Sequence, residues 1–392
     1  MKLKPGWRHV KLSDIAKIKS GSTPLRAEGE RYFSTAGTPW VKTLDLNNGE
    51  IISTDEKITD TALLETSCSV FPVGTVLVAM YGGFNQIGRT GLLTIPAAIN
   101  QALSGLILDR DKAEPAYILN YLNGNVKLWK KFAASSRKDP NITRDDVCGF
   151  PVLLPPLAEQ KKIAKILSTW DNAISVTEKL LANSQRQKKA LMQQLLTGQK
   201  RLLDENGVRF SGEWVYLTFD NAFIVANKKS TQVKSSDYLQ SGSIPIIDQG
   251  QSRIAGYCNN LEVYSDVPVI VFGDHTRCVK WIEFVFCPGA DGTQVIKTSK
   301  ILEPKLGYYL LSNTDIPNLG YSRHMRELKE KDFRLPLDIK EQQKIAAVLS
   351  AADAEISTLE KKLACLRDEK KALMQQLLTG KRRVKVDEAV AE

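Results

Sequence analysis

The chain has 392 residues, 43% of them hydrophobic and 25% charged, with a net charge of +10. That length allows two or three domains with their own cores, and no apolar run approaches the roughly 20 residues of a membrane helix. Six cysteines without a CxxC pair and only three histidines argue against structural zinc and for reduced thiols. The opening MKLKPGWRHV has no apolar stretch or cleavage site, so no signal peptide is expected and the protein is placed in the cytoplasm.

Residues 1–156 are expected to form a globular α+β domain built on many short strands. Strand patterns at 38–46 (TPWVKTLDL) and 74–82 (GTVLVAMYG) lead into glycine-containing loops. The loop GGFNQIGRTG at 82–91 sets Asn85, Gln86 and Arg89 among four glycines. Amide side chains can bridge adenine N6/N7, arginine can bridge guanine O6/N7, and glycine lets backbone approach a groove. The same glycines fit a phosphate loop poorly, because no GK[ST] or GxGxxG pattern is present, and a plain hairpin turn is the bland alternative. Residues 134–146 (ASSRKDPNITRDD) carry Arg137, Lys138, Asn141 and Arg144, suited to phosphates or base edges or simply to solvent. Lys19, Thr23 and Arg26, around the sequence GSTP, are weaker candidates.

Residues 157–200 carry +5 of the +10 net charge. Here apolar residues step alternately by four and three, through Ile163, Leu167, Trp170, Ile174, Leu181, Leu191 and Leu195, with polar breaks at Thr177 and Ser184 and a lysine at Lys188. That spacing keeps one seam of a long helix facing a partner. About 40 helical residues span roughly 60 Å, and Gly198 stands where a left-handed cap would end the helix.

Residues 201–338 are expected to be a second α+β domain. Its glycine-and-polar stretches nominate Lys228, Lys229, Gln249, Gln251, Arg253, His275, Arg277, Arg323, His324 and Arg326 for DNA contact. Residues 339–380 then repeat the helix. Shifted by 182 positions, 159–198 aligns without a gap on 341–380, with 25 of 40 residues identical and KKALMQQLLTG unchanged. A period this long marks a duplicated structural unit. The second seam holds Ile345, Leu349, Ile356, Leu363, Lys370, Leu373 and Leu377. The segments around 243–250 (SIPIIDQG) and 267–274 (VPVIVFGD) are faintly similar to those at 38–46 and 74–82. A tail covers 381–392. The expected architecture is therefore α+β with a pseudo-two-fold internal repeat, in which two globular domains alternate with two long coiled-coil helices whose seams pair with one another.

The proline-rich lead-in followed by EQKKIA or EQQKIA, and the helix ending in QQLLTG, each occur in both halves. With the opening W-x-x-V-x-L-x-D-I at 7–15 and AINQALSGLIL at 98–108, they make the chain resemble the DNA-specificity (S) subunits of type I restriction-modification systems, over nearly its whole length. The second domain departs more, lacking a GSTP equivalent. The resemblance implies that each globular domain is a target-recognition domain reading one half of a bipartite, asymmetric DNA site. It implies that the helices lie antiparallel as a spacer and dock two methyltransferase (M) subunits, with two motor-nuclease (R) subunits completing the restriction complex. Adenine methylation with S-adenosylmethionine and cleavage with ATP and Mg²⁺ belong to those partners, and no cofactor is expected on this chain. The repeated phrase is expected to be a docking surface used twice.

No NPPY or DPPY motif and no Walker A loop is present, and the three histidines lack nucleophile partners at readable spacing, so a non-catalytic protein is expected. Rival readings are a specificity subunit of a methyltransferase that never restricts, an endonuclease using Asp55 and Glu56 as metal ligands, and a coiled-coil adaptor without a DNA role.

Overall fold

The computed structural model describes residues 4–134, 141–318, 320 and 323–386. The chain folds as two units, one formed by Met1–Thr177 with Lys362–Glu392 and the other by Glu178–Lys361. The long helices run Leu157–Leu196 and Ile339–Leu377, and each is divided between the two units near its middle. No described helix is long and apolar enough to cross a membrane.

In the first unit the main sheet has the strand order Ala16–Ser20, Leu103–Leu108, Val76–Ala79, Thr90–Leu93, Glu50–Ile51. Val76–Ala79 is buried at every residue, the unbroken apolar run of a strand covered on both faces. In the second unit the sheet runs Phe223–Val225, Thr293–Thr298, Val269–Gly273, Val279–Ile282. The four shared positions follow the same order, and all their pairings are antiparallel. Ala79 stands opposite Leu103 as Gly273 stands opposite Thr293. A smaller sheet in each unit pairs two strands in parallel, Trp40 with Ala98 in one and Ile246 with Cys287 in the other. The faint sequence likenesses between the halves thus fall on equivalent strands.

Each unit draws core residues from the start of one long helix and the end of the other. The first core takes Ile163, Ala164 and Leu167 together with Leu377 and Leu378, and Leu373 and Met374 pack against it. The second takes Leu195 and Leu196 with Ile345, Ala346 and Leu349, and Leu191 and Met192 pack against it. The leucines and methionines of KKALMQQLLTG are therefore spent in or against the globular cores. The helices are not free rods between domains, because removing their ends would strip leucines from both cores.

Two buried glutamates close these junctions. Glu159 is 2% exposed; it accepts from Arg383 at 3.2 and 2.8 Å and from the Trp7 indole at 3.1 Å. Glu341 is 1% exposed and accepts from Arg201 at 2.5 and 2.6 Å. A carboxylate taken out of water is costly unless paired, and a forked guanidinium satisfies both oxygens. Gly380 and Gly198 precede these arginines at φ +67° and +72°, and a Cβ there would lie 3.3 Å from the Trp7 ring and 3.2 Å from the Trp214 ring. Only glycine meets both demands without strain. The neighbouring glutamines explain the rest of the EQ pair. Gln160 accepts from the Glu114 N–H and donates to Lys112 O and Pro155 O, and Gln342 does the same with Glu303, Ile301 and Pro336.

Between the helices, Lys370 reaches Asp171 at 2.5 Å in the first unit, and Lys188 reaches Asp353 at 2.5 Å in the second. The two breaks in the first seam are filled rather than open. Thr177 is buried and donates to Ala173 O at 2.7 Å; Ser184 is buried and donates to Glu355 at 2.8 Å.

Candidate nucleic-acid interface

In the first unit, four loops meet at one end of the main sheet. Strand Val76–Ala79 runs into the glycine loop, Ala16–Ser20 into the GSTP segment, and Leu103–Leu108 begins after the turn at 100–102. Backbone bonds tie them together: Met80 N–H to Ala102 O at 2.8 Å, Gly21 N–H to Leu103 O at 3.2 Å, and Ile142 N–H to Met80 O at 3.0 Å. Arg144 adds a bond from its guanidinium to Ile18 O at 3.0 Å. Lys19, Asn85, Asn141 and Arg144 are exposed here, and Thr23, Gln86 and Arg89 half-buried. Arg137 and Lys138 lie outside the described residues.

Arg26 stands apart from this group. Its guanidinium holds Glu56 at 3.1 and 2.8 Å and lies over the rings of Phe33 and Trp40. Arg26, with Lys42 at 3.1 Å, holds the Glu56 carboxyl down at about 2. Both cations face the acid that the endonuclease reading needs as a metal ligand. Among the described residues no group of three or more His, Cys, Asp or Glu is placed to hold a metal ion.

The second unit assembles its loops at the equivalent sheet end. His324 N–H donates to Asp274 O at 2.8 Å, the counterpart of Ile142 to Met80, and the buried Asp274 carboxylate caps helix Met325–Lys329 by accepting from Met325 N–H at 2.7 Å. The Gln249 side chain accepts from His275 N–H at 3.1 Å, and its backbone carbonyl accepts from the Thr276 hydroxyl. Asn227 joins strand Thr293–Thr298 through Val295 N–H at 2.7 Å and donates to Gln294 at 2.6 Å. Lys228, Lys229, Gln251, Arg253, Arg323 and Arg326 are exposed around these ties, and Gln249, His275 and Arg277 are half-buried. Arg277 sits at φ +61° and donates to Ile316 O at 2.9 Å.

His324 has no exposed surface, and its ring bonds Asp274 O at 2.8 Å. It braces the loop from within and presents nothing to a duplex. Sequence reasoning passed over Lys280, which is 8% exposed and donates to Asp248 O at 2.7 Å and Ser252 O at 2.6 Å, so it cradles the whole Gln249–Gln251 loop. Burial lowers its pKa from the usual lysine value. A lysine inside a strand gives no sequence signal for that role. Gln101, exposed on the turn beside Met80, was also passed over, although the Asn-Gln pair at a strand start was a visible cue.

The helix candidates divide into three kinds. Ile163, Leu167, Leu191, Leu195, Ile345, Leu349, Leu373 and Leu377 belong to or pack on the unit cores. Trp170, Ile174, Leu181 and Ile356 are half-buried and Leu363 buried along the helices. Lys188 and Lys370 hold the aspartates already described. Within the repeated phrase the exposed residues are Lys189, Ala190, Gln193 and Gln194 in one copy and Lys371, Ala372, Gln375, Gln376 and Thr379 in the other. Any docking surface in the phrase is therefore this lysine-and-glutamine face and not its leucines.

One scaffold is thus used twice, each time offering amides and cations from loops at one sheet end. The profile of the type I restriction modification DNA specificity domain matches residues 4–183. The chain is 27% identical over 341 residues to a candidate type I restriction enzyme specificity subunit, MjaX, of Methanocaldococcus jannaschii, covering 80% of this chain and 79% of that one. Its fold is similar to the crystal structure of a type I restriction-modification S subunit from M. genitalium, with a TM-score of 0.64 at 15% identity over 96% of this chain and 98% of that one. It is also similar to a chain in a structure concerned with complex assembly and conformational transition of the type I R-M system, with a TM-score of 0.54 at 18% identity over 96% and 99%. The chain is thus similar to type I restriction-modification specificity subunits, in its first half by that profile and over most of its length by these relatives.

Proposed function

We propose that each unit reads one half of a bipartite, asymmetric DNA site through the loops gathered at its sheet end. The observation that carries this reading is the recurrence of one four-stranded frame, with the same tie from the central strand to the segment before the helix, under loops of different sequence. Equal frames with unequal loops suit two readers of unlike sequences. Phosphates would be held by the exposed lysines and arginines, and base edges by Asn85, Gln86, Arg89, Gln249 and Gln251.

The long helices, in this proposal, pair antiparallel with pseudo-two-fold symmetry and set the distance between half-sites, as half-site spacing is set in dimeric DNA binders. The reciprocal pairs Lys370–Asp171 and Lys188–Asp353, 182 positions apart in both members, support that pairing. Two methyltransferase subunits would dock on equivalent faces, one including Lys189 and Gln193 and the other Lys371 and Gln375. The assembly would direct adenine methylation and, with two motor-nuclease subunits, restriction.

Mapping modified adenines across the host genome tests the reading. The expected result is one bipartite motif with a fixed spacer, altered in one half only when the loops of one unit are exchanged. A motif that is contiguous, or that changes in both halves on a one-unit exchange, overturns it.

A further inference from the structure

Most large aromatic side chains of the first unit are inside it: Trp40, Trp129, Tyr117, Phe71 and Phe150 are all essentially inaccessible. Tyr81 and Phe84 are different, 41% and 48% exposed on the glycine loop. That loop is firmly footed. Ile87 is 2% exposed, Gly88 N–H donates to Ala79 O at 3.0 Å, and a Cβ on Gly88 would lie 2.5 Å from the Trp129 ring. Gly82, Gly83 and Gly88, at φ +111°, +78° and +78°, turn the chain so that Gln86 and Ile87 N–H close back on Gly83 O at 3.0 and 3.1 Å. Arg89 binds Asn85 O at 3.2 Å across the same turn. The aromatic pair thus stands on a braced turn, at the sheet end where Lys19, Asn141 and Arg144 are exposed.

We infer that Tyr81 and Phe84 form an aromatic wedge that enters the base stack of the half-site read by the first unit. The inference rests on the DNA reading proposed above. An apolar ring held out among cations matches the chemistry of a duplex, whose phosphates attract the rim and whose base faces accept a ring once a step is opened. Unstacking a step is costly, a cost offset by ring stacking and by closer approach of the loop. The second unit differs at this place. Its equivalent crossing, 274–278, is closed by buried Asp274 and left-handed Arg277, and no exposed large aromatic stands on it.

The test uses the chain assembled with its methyltransferase partner and a duplex carrying the mapped site, with 2-aminopurine placed singly along each half away from the methylated adenines. The expected result is a fluorescence rise at one step of one half-site and none in the other half. Phe84→Ala should abolish the rise and weaken binding about tenfold or more, Phe84→Leu should keep part of both, and the melting temperature should not move because the tip is exposed. Wild-type affinity in Phe84→Ala, or no rise with the unaltered complex, overturns the wedge while leaving half-site reading to be judged by the methylation map. Unchanged DNA affinity with impaired methyltransferase assembly also overturns it and places the tip on a protein surface. A complex that does not bind the mapped site at all defeats the underlying reading as well.

Discussion

Beyond its central strand the first unit runs through residues 80–89 before the next strand starts at Thr90, whereas the second turns within 274–278 and resumes at Val279. The first crossing is long, rich in left-handed glycine and aromatic at its tip; the second is short and pinned by the buried Asp274. Around them four strands of each main sheet follow the same order. The difference teaches where a recognition protein can vary. Strands such as Val76–Ala79 and Val269–Gly273 are buried at every residue, so each position answers to packing. The loops answer only to their feet, and everything beyond the foot is available to meet a ligand.

The glutamate clasps give the sharpest contrast. Arg201→Met leaves Glu341 buried and unpaired, and the second unit should lose about 3–5 kcal/mol. Arg383→Met should cost the first unit less, because the Trp7 indole still bonds Glu159, while the Trp214 indole nitrogen finds no hydrogen-bond partner among the described residues. Hydrogen exchange followed separately in the two units measures both; equal losses would remove Trp7 from the account. Lys280→Met, which frees the Gln249–Gln251 loop, should cost about 2 kcal/mol in binding at the second half-site. Binding to duplexes mutated in one half at a time would show it, and a loss spread over both halves would break the assignment of one unit to one half.

Arg89→Ala should relax discrimination at the first half-site by about 1–2 kcal/mol, read from binding to a set of single-base variants. The smallest effect concerns the Arg26–Glu56 pair of the first unit. Glu56 titrates near 2 when folded against 4.5 unpaired, so its charge stabilises the first unit above pH 4.5, and that contribution fades as pH falls to about 2. Glu56→Gln should lower the neutral-pH melting temperature slightly and flatten its fall across that window. The pair is partly exposed, which keeps the effect small. Charge reversal at Lys188 would disturb its bond to Asp353, so Lys189 is the better probe of methyltransferase docking.

Much of the frame was legible in the order of residues. The 182-residue repeat, the four-three spacing of leucines and isoleucines, and the strand patterns at 74–82 and 267–274 are local or periodic features, set by side-chain period and turn chemistry. The glycine-and-polar stretches likewise marked the loops that meet at each sheet end, since backbone freedom and hydrogen-bonding groups are written in composition. Less legible was what each side chain does there. His324 and exposed Arg323 are neighbours with the same promise in sequence, yet one is buried under Asp274; Arg26 looks as available as Arg89, yet it is held by Glu56.

Sequence by itself determined that this protein is a duplicated pairing of strand-rich domain and long helix, with amide and cationic loops in both copies. Tertiary structure alone decided that each helix end belongs to a globular core, and that Arg383 closes on Glu159 from 224 residues away. The reason is physical. Periodicity reports which face of an element is apolar, but not which surface will cover it; that is settled only when distant segments bury their charges and leucines against one another.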